Sequence, residues 1–171
     1  MAQWASAFTE SALGVSKTVG DLAGPCLFAA FMGISRILYG KMSTKLNLTR
    51  AMLLSGLLCV ACYLLASLSP LPILGLAGCA LCGFSVGIMW PGTISLSSQK
   101  CPQGGTAMFA VLALAGDFGS TVSPAMVGSL SELAGGNLKT GLLAATIFPI
   151  LLVFRLFVLN RKMKDLHPEL A

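Results

Sequence analysis

From Ala51 to Gln99 the chain contains no Asp, Glu, Lys, Arg or His. A soluble domain cannot present so long an apolar run to water, whereas one bilayer-spanning helix needs only about 20 residues. The run is divided by Ser69-Pro70-Leu71-Pro72. Proline ends helices and serine favours turns, so two membrane-crossing helices joined by a short hairpin are expected. Arg50 and Lys100 close the run on one side, which the positive-inside rule makes the cytoplasm. The sequence is that of an integral membrane protein.

Composition explains what the charges are for. Charged residues make up 10% of the chain and hydrophobic ones 56%, against about 25% charged in soluble domains. The net charge of +5 gathers at span ends, where it sets topology; a nucleic-acid footprint would need an exposed basic face. Nucleic acid is therefore not an expected partner, and membrane lipid is.

The same arithmetic divides the rest. Spans are expected at 19–43, 48–68, 71–99, 104–133 and 138–162, with residues 1–13 as the end of a sixth helix whose beginning is missing. Thr18 and Asp21 read as a cap pair, with Pro25 in the first turn that follows. Lys41, Lys45, Arg50, Lys100, Arg161, Lys162 and Lys164 fall on one side, Lys17 and Lys139 on the other. The basic side is expected to be cytoplasmic, C-terminus included, in a plasma (inner) membrane.

Several motifs then need weighing. Cys59-x-x-Cys62 and Cys79-x-x-Cys82 match a zinc template in spacing. They lie at helical i, i+3 positions among Leu, Ala and Gly, so they read as small packing residues, and no metal is expected. Gly20-x3-Gly24 and Gly83-x3-Gly87 let helix backbones approach closely. Gly116, Gly119, Pro124 and Gly128 crowd one span around Asp117 and mark a helix able to flex, as Pro91 does in the preceding span. A mid-span carboxylate is costly and points to an ion or substrate path, which makes Asp117 the first candidate for solute contact. Trp90 offers a flat aromatic face and an N–H donor. Gln3 and Trp4, on the partial first helix, are further candidates. With one histidine, His167, and no phosphate-binding glycine loop, neither a histidine-based catalytic set nor an ATP site is expected. An enzyme is not expected, nor a cofactor.

The stretch from Gly33 to Arg50 resembles the cytoplasmic loop signature of the major facilitator superfamily between its eighth and ninth helices. Arg36, Gly40, Ser43, Lys45 and Arg50 match the pattern, while Thr44 replaces its acid and Asn47 its glycine. Gly116 to Gly128 is similar to the family's eleventh helix. Ile88-Met-Trp90-Pro91 resembles the tenth helix of fucose-permease-like sugar:proton symporters. The resemblance implies an all-α membrane fold, the C-terminal half of a twelve-helix bundle, with five full spans plus a truncated first one. It also implies secondary active transport of a small polar solute, a sugar coupled to protons, at a site between two halves. The missing N-terminal half or a dimer partner would complete it. The alternatives are a truncated, non-transporting membrane subunit or remnant, or a carrier half for another solute such as a drug or organic anion.

Overall fold

The computed structural model describes residues 4–7, 10, 16–42 and 46–166, and among them every regular element is helical. The long helices are α1 (Lys17–Met42), α2 (Leu48–Leu68), α3 (Pro72–Val86), α4 (Met89–Lys100), α5 (Gly105–Leu133), α6 (Leu138–Ala145) and α7 (Ile147–Leu166). They supply five stretches long and apolar enough to cross a membrane: Leu22–Met42, Leu48–Leu68, Ile73–Lys100, Gly105–Leu133 and Leu138–Arg161. This is the all-helical, five-span membrane bundle the sequence implies. Of the partial first helix only residues 4–7 and 10 are described.

Proline chemistry decides where the spans are interrupted. Pro91 has no N–H to give the carbonyl of Gly87, and the third span breaks at Gly87–Ile88 into α3 and α4. Pro149 likewise leaves the carbonyl of Ala145 unanswered, and the fifth span breaks at Thr146 into α6 and α7. Pro124 does not break α5, which runs unbroken from Gly105 to Leu133. The expected start of α1 needs correcting. The helix begins at Lys17, so Thr18 and Asp21 lie inside it, not at its cap, and Pro25 falls well within the helix. The polar residues ahead of the apolar run extend the helix because an α-helix need not stop at the edge of the hydrocarbon.

At the Ser69–Pro72 hairpin the outcome follows the sequence. Ser69 caps the C-terminus of α2, its N–H donating to the Leu65 carbonyl at 3.1 Å, and Pro72 occupies the first turn of α3. The Ser69 hydroxyl also accepts from the Leu71 N–H at 3.2 Å. The Lys139 ammonium donates to the Ser69 carbonyl at 2.7 Å, which fixes the start of α6 beside the hairpin. At the opposite end, Asn47 and Thr49 share a depression with Gln99 and Lys100. Arg155 lines another there with Thr93 and Ser97. The basic residues Arg50, Lys100 and Arg155 thus share one end of the bundle.

Packing in lipid relies on close backbone approach, because burying apolar surface gains little there. α3 is central, packed on both α1 and α2, and α2 also meets α4, α6 and α7. Gly83 brings α3 onto the main chain of α1: an added Cβ would meet the Phe28 carbonyl oxygen, with the carbonyl carbon at 2.9 Å. One turn on, a Cβ at Gly87 would lie 2.7 Å from Ser35. On the other side, Gly78 closes on the Cys62 carbonyl of α2, 3.1 Å from a built Cβ. The bundle is lopsided. Half of the apolar stretch of the third span is buried, against 6% of that of α5.

Candidate functional site

The four cysteines at zinc-like spacing face one another across the α2–α3 seam. Cys59, Cys62, Cys79 and Cys82 are all buried and reduced, and the Cys59 and Cys82 thiols lie 3.9 Å apart. Phe28 packs on Cys59, Cys62 and Cys82. Among the described residues no three His, Cys, Asp or Glu side chains form a group that could hold a metal ion. Cysteine here is a small apolar filler.

Trp90 occupies the break. It is the second residue of α4, 44% exposed, and its ring leans on Gly116 of α5. A Cβ there would lie 3.1 Å from ring atom Cζ3. Its other side borders a depression of about 400 Å³ shared with Arg36, Tyr39 and Gly40 of α1. Trp90 therefore packs on α5 and faces α1 across the depression. Arg36 answers the carbonyl that Pro91 orphans: its Nε donates to Gly87 O at 3.4 Å. Next to it the Tyr39 and Ser55 hydroxyls share a 2.7 Å hydrogen bond that ties α1 to α2.

Asp117 follows Gly116 and is exposed. It borders an open groove on α5 with Leu114, Phe118, Thr121 and Val122. The Ser120 and Thr121 hydroxyls both donate to its backbone carbonyl at 2.9 Å, leaving the carboxylate out of these bonds. Three helical turns along, on the same side of α5, Gly128 meets the ring of Trp4, a built Cβ lying 3.3 Å from Cζ2. Trp4 packs against the cluster of Ala66, Cys79, Val127, Leu142 and Ala145, and its buried Nε1 has no partner among the described residues. Two of the glycines expected to let α5 flex, Gly116 and Gly128, are thus seats for indole rings, whereas a Cβ at Gly119 would meet nothing within 4 Å.

The structure brings Arg36, Gly87, Trp90, Pro91 and Gly116 together. Asp117 stands exposed beside this group on α5, and Trp4 lies further along that helix. Gln3, Ser43 and Lys45 lie outside the described residues. Of the remaining loop-motif residues, Arg50 gives its N–H to the side chain of Asn47 at 3.3 Å, and Asn47 caps α2. The departure from the loop pattern at Asn47 has a local use, since asparagine is a strong N-cap. Sequence reasoning missed the link from Arg36 to Gly87. The available signal was Pro91, which identifies the orphaned carbonyl four residues before it.

Five apolar helical spans, a centrally placed broken one and an acid on an uncovered mid-span face define a polytopic membrane protein built like a transporter. The chain belongs to the major facilitator superfamily, a family of membrane transporters, whose family model matches residues 2–170. Neither a curated protein nor a solved structure gives a match.

Proposed function

We propose that the chain is the C-terminal six-helix half of a fucose-permease-like carrier that moves a small polar solute, a sugar, together with protons. In this reading it resides in the plasma (inner) membrane with its C-terminus in the cytoplasm, and the solute binds between it and a second half. The observation that carries the reading is the position of Trp90. An indole at a broken mid-membrane helix, flanked by α1 and α5 with Asp117 beside it, supplies a flat apolar plate and an acceptor on one wall. Sugars are held by such pairs, the ring face on an aromatic and the hydroxyls on a carboxylate. The two helices flanking Trp90 are also the least covered of the spans: 17% of the apolar stretch of α1 and 6% of that of α5 are buried. That suits a wall awaiting its counterpart.

The test is uptake. The gene with its upstream flanking DNA is expressed in de-energised cells, and external pH is followed as monosaccharides are added. Sugar-dependent alkalinisation, abolished by Trp90→Ala and by a protonophore, is the expected result. Sugar accumulation with no proton movement would reject the coupling, and no sugar-dependent signal would reject the substrate class.

A further inference from the structure

Arg36 holds more charge than the fold uses. It lies six residues before the end of α1, about 9 Å along the helix axis, with its side chain exposed. A guanidinium has five N–H donors, and Arg36 spends Nε on the Gly87 carbonyl at a long 3.4 Å. Neither terminal amino group has a hydrogen-bond or ion-pair partner among the described residues. Among the described residues no acid forms an ion pair with it: Asp117, at the edge of the same group, makes none, Asp21 is fifteen residues back on the same helix, about 22 Å away, and Thr44 stands where the loop pattern has an acid. The side chain borders the depression of about 400 Å³ whose wall also includes Tyr39, Gly87, Trp90, Pro91 and Ser95, a volume within the range of small-molecule sites.

We propose that this depression binds the carboxylate of an acidic monosaccharide. The two terminal amino groups of Arg36, which have no partner among the described residues, take the carboxylate oxygens, and the sugar ring lies on the exposed face of Trp90. The inference rests on the reading of Trp90 as part of a solute-facing wall, and it narrows that solute from a sugar to a sugar acid. One negative charge fits because, among the described residues, Arg36 is the only cation bordering the depression. A phosphate dianion would leave a surplus charge in a low-dielectric site. A planar guanidinium also matches a carboxylate in a two-bond fork, which a neutral sugar cannot use.

The test uses the whole 171-residue chain in phosphatidylcholine nanodiscs, so that no lipid headgroup supplies a net anion. Tryptophan emission is followed as D-galacturonate or D-galactose is added, with Trp90→Phe reporting any contribution from Trp4. Galacturonate is expected to quench saturably at a concentration ~10-fold or more below galactose, a charge-assisted margin. Arg36→Gln should erase that margin with helicity unchanged, and Arg36→Lys should keep part of it. Equal response to the two sugars, or a margin that survives Arg36→Gln, overturns the inference while leaving a neutral-sugar carrier standing. A margin that depends on Arg36, without sugar-driven uptake, supports the site and rejects the transport reading. No response to either sugar overturns the inference.

Discussion

Gly83→Ala tests the packing that positions the site. A Cβ at this position would lie 2.9 Å from the Phe28 carbonyl carbon and 3.0 Å from its Cα, besides meeting the carbonyl oxygen. Ordinary carbon contacts are about 3.5–4.0 Å, so α1 and α3 must part by roughly 0.5–1 Å. The obstacle is main chain, which cannot rotate aside, so the overpacking cost should approach the upper end of about 1–3 kcal/mol. The helix-propensity gain of about 1 kcal/mol for replacing Gly offsets part of it, leaving a net loss of about 1–2 kcal/mol. Gly119→Ala is the matched control, since its Cβ would meet nothing within 4 Å; it should gain up to about 1 kcal/mol. Both variants are unfolded from dodecyl maltoside with increasing SDS and followed by far-ultraviolet circular dichroism. The expected separation is about 2–3 kcal/mol, the sum of the two effects. Equal stability would refute the close approach of α1 and α3. The separation should also reach the site, because α1 carries Arg36 and the span continuing from α3 carries Trp90.

Three further outcomes are expected. Asp117→Asn should leave unfolding unchanged, because the carboxylate is exposed. In the carrier it should weaken uptake and exchange together by roughly 10–100-fold, the worth of one charge-assisted hydrogen bond; loss of accumulation with exchange intact would instead make Asp117 the proton carrier. Pro91→Ala restores an N–H to the Gly87 carbonyl and should raise stability by about 1 kcal/mol while lowering uptake; a fall in stability would reject the account of the break. In intact cells an impermeant maleimide should label a cysteine placed at Ser69 or Pro70 and spare Cys101 and one placed in the tail; the reverse pattern would invert the topology.

Residue chemistry alone settled the class and the number of spans. An ionisable-free run from Ala51 to Gln99 has no home outside a bilayer, and Ser69-Pro70-Leu71-Pro72 can only be a turn, which is why the hairpin was legible. Gly83 and Gly87 were also readable, since small residues four apart in a span exist to let backbones meet. The start of α1 was misread because a helix can run past the hydrocarbon edge, and hydropathy sees that edge and not the helix.

Which carbonyl Pro91 orphans is local arithmetic, but that Arg36 answers it depends on the close α1–α3 contact. Gly116 and Gly128 looked like hinges by composition, yet each lies against an indole from a distant part of the chain, Trp90 and Trp4. The sequence by itself determined an integral helical membrane protein, with five spans among the described residues and an acid in the fourth of them, because bilayer thickness and backbone hydrogen bonding admit nothing else. Only the tertiary structure decided that Arg36, Trp90 and Gly116 form one group with Asp117 at its edge. Hydropathy is a property of each segment alone, whereas the partners across a helix contact are set by backbone approach between segments far apart in sequence.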